Sequence, residues 1–452
     1  MRISILILTI LVLPISLYGQ QQYWTLEDCV MYALNNNIDI KSKVLDVRQK
    51  ETDVSEHKWN FAPSLYLSNS ASISNGRVLD PTTYDFVENE IVVGNSTSLN
   101  ASVNLFSGLT NHHNLKKSKL NLQSAQLSVA QTKEDVYLNV TACYLEILYA
   151  EDNIHIAEQI IKELYLQIDK ISLKVETGKS TEADLLQIQT KLAEAENELL
   201  IAKQNFDIAR LNLCYMLEIE DYTSLYLSKP SEPEFLQMDI ALSNALLDEL
   251  VINRPEMKMA EINVEISKCN LSIARSAYYP TISLNIGYGS SFSDARLKTL
   301  HNIDGTYRQE SYPFIEQYVG NANSYASISI NFPIFSKLSI RNNVNRHKIL
   351  VQQFEYALLQ TNKQVRREIT QALIEARAAC AQYNSATKAV ESANEVARQA
   401  ALKYELGVIS VTDYNTIITS QYQSLIKLAQ SKYEYIFKYK ILDYFINSNQ
   451  YS

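Results

Sequence analysis

The chain repeats itself. Asn60-Phe61-Ala62-Pro63-Ser64-Leu65 is matched 217 residues later by Ala277-Tyr278-Tyr279-Pro280-Thr281-Ile282. Leu105-Phe106-Ser107-Gly108 is matched 229 residues later by Ile334-Phe335-Ser336-Lys337. The second offset holds without a gap for about 80 residues, aligning Glu176-Thr177-Gly178 with Glu405-Leu406-Gly407 and Asp184 with Asp413. A chain built this way uses one structural module twice, and any fold proposed for it must accommodate both copies. The pattern divides the chain into a leader (1–19), repeat one (20–220), a linker (221–245), repeat two (246–446) and a tail (447–452). Pro230 and Pro233 mark the linker as a break between helices.

Each copy contains two segments of strict period-2 alternation. In copy one, Leu65, Leu67, Ala71 and Ile73 oppose Tyr66, Ser68, Ser70, Ser72 and Ser74. Leu99, Ala101, Val103 and Leu105 oppose Ser98, Asn100, Ser102 and Asn104. In copy two, Ile282, Leu284, Ile286 and Tyr288 oppose Ser283, Asn285, Gly287 and Gly289. Ala326, Ile328, Ile330 and Phe332 oppose Ser327, Ser329 and Asn331. Such alternation predicts strands at about 64–74, 97–106, 281–290 and 324–334. The polar faces hold small uncharged side chains, where a soluble sheet would carry Lys and Glu. Apolar on one face and small-polar on the other, over about ten residues, fits a strand between lipid and water. Trp59, Phe61, Phe106, Tyr278, Tyr279, Phe332 and Phe335 gather at the helix-side strand ends, as aromatics do at a membrane interface. The same rings also suit packing at a helix–sheet junction. Four strands cannot close a membrane barrel, which needs about eight or more. An open edge in lipid leaves backbone groups unpaired. Several chains must therefore share one barrel if the strands are in a membrane. The stretches 75–96 and 290–323, rich in Asp, Asn, Gly, Tyr and Ser, read as long loops between paired strands.

The remaining sequence predicts very long helices at about 110–176, 181–217, 338–405 and 411–446. Val136, Val140, Cys143, Ile147, Ala150 and Ile154 begin a run of alternating steps of four and three that continues to Val175. Val365, Ile369, Ala372, Ala376, Ala379 and Tyr383 begin the same run in copy two, ending at Tyr404. A sustained seven-residue repeat gives a left-handed supercoiled seam. A helix from 110 to 175 is a rod of about 100 Å at about 1.5 Å per residue, a length suited to crossing an aqueous compartment.

Composition fits this picture. Gly and Pro number only 10 and 9, and Tyr numbers 29. Arg2, the apolar run Ile3–Ile15 and the small or polar residues at Gly19 and Gln20 read as a secretory signal. The net charge of −9 becomes −10 once Arg2 is removed, which disfavours nucleic acid as a partner. Cys29, Cys143, Cys214, Cys269 and Cys380 follow no metal-binding spacing and read as small apolar helix residues. His112-His113 is a weak metal candidate beside a helix start. No motif for nucleophilic, metal or phosphate chemistry occurs, so the chain is not expected to be an enzyme or to need a cofactor or metal.

Together these features resemble the TolC-like outer-membrane efflux family over nearly the whole mature chain. The carriers are the Pro-led strands at Pro63 and Pro280, the element Leu-Phe-Ser-Gly at 105–108, Phe-Pro-Ile-Phe at 332–335, and the helix turns Gly178 to Asp184 and Gly407 to Asp413. The resemblance implies a mainly α fold with a membrane β-barrel. A homotrimer would form a 12-strand barrel and an α-helical periplasmic tunnel. It implies the passive exit duct of a tripartite efflux pump or type I secretion system, in the bacterial outer membrane. The implied partners are outer-membrane lipid, a periplasmic adaptor (membrane fusion) protein and an inner-membrane RND, ABC or MFS transporter. The turns at Gly178 and Gly407 would form the periplasmic tip. By position, Asp184 and Tyr404 fall on an aperture link of the family and Asp413 on one member of an acidic ring. Ile409 stands where the family's linking Arg would be, and Thr416 where the second ring Asp would be. From the residues alone, Asp184 and Asp413 also fit helix capping. A secreted coiled-coil scaffold or adhesin without channel activity is the alternative reading of the whole chain.

Overall fold

The strand and helix patterns become elements in the order the repeat dictates. In the computed structural model the described residues are 23–79, 84–229, 244–301, 303 and 305–447. The leader 1–19, Pro230 and Pro233 of the linker, and most of the tail lie outside them. A short strand β1 (Tyr23–Trp24) precedes helices α1 (Leu26–Asn36) and α2 (Ile38–Trp59). Strands β2 (Ser64–Leu79) and β3 (Phe86–Ser107) lead into α3 (Thr110–Glu176) and the returning α4 (Glu182–Leu217). After β4 (Tyr226–Leu227) the second copy gives α5 (Asn244–Asn253), α6 (Pro255–Ser276) and β5 (Thr281–Ser293). Then come β6 (Leu297–His301), β7 (Tyr307–Ser311), α7 (Phe314–Gly320) and β8 (Asn323–Asn331). Finally α8 (Ser339–Glu405) and α9 (Val411–Asn447) complete it.

Two compact units emerge. One comprises the described parts of Met1–Ser42, Val129–Val251 and Arg366–Ser452. Its core joins α1 (Cys29, Ala33), α3 (Val140, Tyr144, Leu148), α4 (Leu213, Cys214, Leu217) and α9 (Tyr433, Ile436, Tyr444). In α3 the seam residues Val136, Val140, Ile147 and Ala150 are buried, and Tyr144 and Leu148, which lie beside that seam, are buried with them. The N-terminal β1 pairs in parallel with the linker strand β4. Tyr144 Oη, itself buried, donates to the carbonyl of Ser228 beside that pair.

The other unit comprises Lys43–Ser128 and Ile252–Val365. It holds an antiparallel sheet in the order β2-β3-β5-β8. The strand-to-helix elbow is the same in both copies: Gly108 (φ 61°) and Leu109 (φ 68°) in one, Lys337 (φ 50°) and Leu338 (φ 61°) in the other. Two consecutive left-handed residues turn a strand abruptly into a helix. At Gly108 glycine is also required by space, because a Cβ there would meet the Ser276 carbonyl oxygen at 2.4 Å.

The expected loops are corrected by the structure. Segment 75–96 is largely strand: β2 runs on to Leu79 and β3 starts at Phe86, with a register irregularity between Gly76 and Val78. The polar composition misleads there, although the β-branched run Ile91, Val92 and Val93 suits a strand; Val92 is buried while Ile91 and Val93 are exposed. Segment 290–323 contains the β6–β7 hairpin and α7 rather than an unstructured loop. Gln317 of α7 is fully buried, accepting from the Ser293 N–H (3.1 Å) and donating to the Ser293 carbonyl (2.8 Å). It thereby satisfies the β5 backbone at a level where β8 no longer pairs. Strand β8 stops at Asn331, short of 334, because Pro333 has no N–H to offer.

Candidate functional site

Two regions carry features that folding alone does not require. The first is the four-stranded sheet. Its outer strands, β2 and β8, each pair on one side only among the described strands. Cα pairing puts Leu67 beside Leu99, Leu99 beside Tyr288, Val103 beside Leu284, and Leu284 beside Ile328. All these side chains share one face, apolar in its helix-side half and passing into a hydrogen-bonded group of Asn69, Asn95, Thr97 and Tyr318 farther along the strands. That face is bare: Leu67 is 70 % exposed, Ile328 65 % and Ile330 67 %. The other face is Ser, Asn, Thr and Gly with Tyr66 and Tyr325, and neither face carries a charge in 64–74, 94–104, 281–289 or 323–331. A contiguous apolar sheet face has no reason to form in water unless something apolar covers it. Trp59, Phe61, Tyr278, Tyr279, Phe332 and Phe335 stand exposed around the helix-side strand ends, while Phe106 is half-buried.

The second region is the pair of helix turns. Helix α3 ends with Gly178 at φ 73°, where Lys179 N–H reaches the Lys174 carbonyl (2.7 Å) and Gly178 N–H the Val175 carbonyl (2.9 Å). Helix α8 ends identically: Gly407 has φ 73°, Val408 N–H reaches Lys403 (2.9 Å) and Gly407 N–H reaches Tyr404 (3.1 Å). This left-handed termination closes the last carbonyls of each helix. The returning helices start alike. Asp184 Oδ2 accepts from the Thr181 N–H (2.9 Å), the Thr181 hydroxyl (2.8 Å) and the Ser180 hydroxyl (2.9 Å). Thr181 Oγ1 in turn accepts from the Asp184 N–H (3.2 Å), completing a capping box. Asp413 accepts from the Ser410 hydroxyl (2.7 Å), and Ser410 accepts from the Asp413 N–H (3.1 Å). Thr181 N–H and hydroxyl, then Ser180, hold the Asp184 carboxyl below its ordinary value.

Between the two hairpins lies a set of contacts that sequence reasoning missed. The Tyr404 and Tyr414 rings stack at 5.0 Å and 15°, and Lys174 Nζ sits 4.5 Å from the Tyr404 ring centroid. Gln167 donates to Tyr414 Oη (3.3 Å), Lys170 pairs with Glu405 (3.1 Å), and Tyr422 Oη donates to Glu163 (2.5 Å). Beneath them Leu164, Ile171, Ile188 and Val411 form an apolar cluster, joined at its margin by Tyr404. Burial, then the negative charge of Asp184, pushes the Tyr404 phenol up. Asp184 and Tyr404 are thus electrostatic neighbours, while the hydrogen bonds of Asp184 go to its own helix start. Ile409 packs at the margin of the Ala397–Ala400–Tyr414–Ile418 cluster, and Thr416 bonds back to the Thr412 carbonyl (2.9 Å). The signal that could have found Lys170 and Lys174 is their place beside the heptad seam of α3, where long cations flank a supercoil.

An open groove of about 840 Å³ runs along α3, α4 and α9, floored by Ile156, Ile160, Ala195, Ile418 and Ile426. Asn153 Oδ1 and Asn415 Nδ2 at this groove are buried without a hydrogen-bond partner. All five cysteines are free. Among the described residues, no group of three or more His, Cys, Asp or Glu side chains could hold a metal ion, His112 and His113 included. Among the described residues no helix is long and apolar enough to cross a membrane, a statement that does not bear on strands.

The chain matches the family model described as outer membrane efflux protein over residues 30–217 and 246–439, one match per repeat. The cation efflux system protein CusC of Escherichia coli O157:H7 is 25% identical over 277 residues, covering 60% of this chain and 56% of that one. The pyoverdine export outer membrane protein OpmQ of Pseudomonas putida is 22% identical over 286 residues, covering 60% and 59%. The chain thus aligns with little more than half the length of these curated relatives. In three dimensions it is similar to a crystal structure of CusC, with a TM-score of 0.80, 19% identity, and 95% of each chain covered.

Proposed function

The chain belongs to the outer membrane efflux protein family, and from that premise we propose that it is the passive exit duct of a tripartite efflux pump or type I secretion system. It acts in the bacterial outer membrane, with its helices in the periplasm. The observation that carries this reading is the sheet whose apolar face is bare and whose outer strands have no second partner among the described strands. Strands β2 and β8 run antiparallel to each other, since each step across the sheet reverses direction. The β8 edge of one copy can therefore continue onto the β2 edge of the next without breaking the alternation. Three copies give a closed barrel of 12 strands, satisfying every edge inside lipid.

The duct moves cargo without chemistry of its own. Among the described residues no cluster of His, Cys, Asp or Glu is built to hold a metal, and the driving energy belongs to an inner-membrane transporter of the RND, ABC or MFS type. A periplasmic adaptor joins the two. The groove along α3, α4 and α9, lined by isoleucines and alanines together with Lys191, Glu194 and Glu198, is suited to an amphipathic helical partner. At the tip, Gly178 and Gly407 set the turns, and Asp184, Tyr404 and Asp413 lie at the aperture. With Ile409 and Thr416 in place of a linking Arg and a second acidic residue, closure rests on ring stacking, Lys174 and apolar packing. Asp184→Ala combined with Tyr404→Ala is expected to raise single-channel conductance. Unchanged conductance would rule out a restraint at these residues.

The competing assignment, a secreted scaffold or adhesin, leaves the sheet face in water. Fractionation separates the two: a duct requires detergent for extraction from outer membranes, whereas a scaffold is recovered without it.

A further inference from the structure

On the polar face of the sheet, one row of paired residues crosses all four strands. Tyr66 pairs with Asn100, Asn100 with Gly287, and Gly287 with Tyr325. Tyr66 and Tyr325 are the aromatic side chains on a face otherwise made of Ser, Asn, Thr and Gly in the paired segments 64–74, 94–104, 281–289 and 323–331.

Tyr325 does not point away from the wall. Its ring lies across Gly287, so that a Cβ there would meet ring atoms Cε1 at 2.3 Å and Cζ at 2.6 Å. Its hydroxyl donates to Asn100 Oδ1 at 3.2 Å, two strands over. Asn100 is oriented in turn by donating from Nδ2 to Ser98 Oγ at 3.0 Å. Only a glycine permits this posture, because any larger residue at 287 occupies the volume of the ring. An aromatic laid over a strand glycine also protects that weak point of the sheet. That accounts for one face of the ring and leaves the other bare: Tyr325 is 53 % exposed and Tyr66 54 %.

We propose that the Tyr66–Asn100–Gly287–Tyr325 row is an aromatic contact site on the inner wall of the duct. It takes planar aromatic solutes by stacking on the free face of Tyr325, and Gly287 keeps that ring against the wall and out of the passage. The wall around it is uncharged, so flat apolar surface is the strongest recognition it offers, and the ring face favours a cationic aromatic over an anionic one. Closure between copies makes β8 and β2 neighbours, which brings the two tyrosine-bearing strands side by side. The inference rests on the barrel reading above.

The test is block of single channels by proflavine, a planar aromatic cation, in planar bilayers. The substitution that removes the stacking ring is Tyr325→Ser. It should raise the half-blocking concentration about three- to ten-fold, the loss of one aromatic stack. Should that variant not assemble, Tyr325→Leu, which keeps bulk without a ring face, must give the same rise. Gly287→Ala is expected to lower open conductance by standing the ring off the wall. Channels whose proflavine block is unchanged by either Tyr325 substitution overturn the contact site while leaving the duct intact. Unsubstituted protein that forms no channels overturns the duct, and this site with it.

Discussion

Asp184 illustrates how one residue can carry two roles. Its carboxylate closes a capping box with Thr181, and its charge reaches Tyr404. The cap was legible in the sequence, because Thr181-x-x-Asp184 and Ser410-x-x-Asp413 recur at the same offset. The stack of Tyr404 on Tyr414 within the α8–α9 hairpin and the Lys174 contact from the other hairpin were not, since which side chains meet between packed helices is a tertiary property. Thr181→Ala is expected to cost about 1 kcal/mol of local stability. It should appear as faster amide exchange in the first turn of α4, with α9 unaffected. The pH dependence has a definite sign. The folded carboxyl of Asp184 titrates below its ordinary value, held there first by the Thr181 N–H. Its stabilisation is therefore complete above the unfolded value of about 3.9 and is lost as pH falls through the folded value. Protection of the first turn of α4, its exchange rate relative to that of an unstructured amide at the same pH, should fall over that acid window and stay level between pH 5 and 8.

At the scale of elements, the periodicities carried most of the information. The long helices and the two faces of each strand follow from 4–3 and period-2 spacing. The strand extensions past Asn75 did not, because Gly76, Arg77, Asp85, Glu88 and Glu90 interrupt the alternation that marks the rest of each strand. The strand-to-helix elbow separates backbone cost from packing cost. Gly108→Ala adds left-handed strain and a clash with the Ser276 carbonyl, so it is expected to cost more than about 2 kcal/mol. Gly178→Ala and Gly407→Ala meet nothing within 4 Å, and each should cost only the left-handed strain, about 1–2 kcal/mol. Thermal unfolding in detergent would rank the three. The sheet faces give a sharper contrast. Ile328→Lys places a charge on the bare apolar face and is expected to cost about 2–4 kcal/mol if that face meets mid-bilayer. Ser329→Lys, one residue on and facing the other way, should be tolerated. Equal outer-membrane yields for the two variants would mean that the faces do not differ in solvent.

For the whole molecule, duplication explains why one chain supplies an incomplete object. Two copies of a strand pair make a four-stranded sheet whose outer strands, β2 and β8, each pair on one side only among the described strands, and in the proposed duct further chains close it. The two copies also differ: Gly108 is answered by Lys337, and Val175 by Tyr404. A trimer would thus present two kinds of helix-turn end. The measurement that bears most directly on the duct is reconstitution of the detergent-extracted protein in planar lipid bilayers. Discrete, long-lived conductance steps from a three-chain species are the predicted result. Protein that is recovered without detergent and leaves the bilayer silent would contradict it.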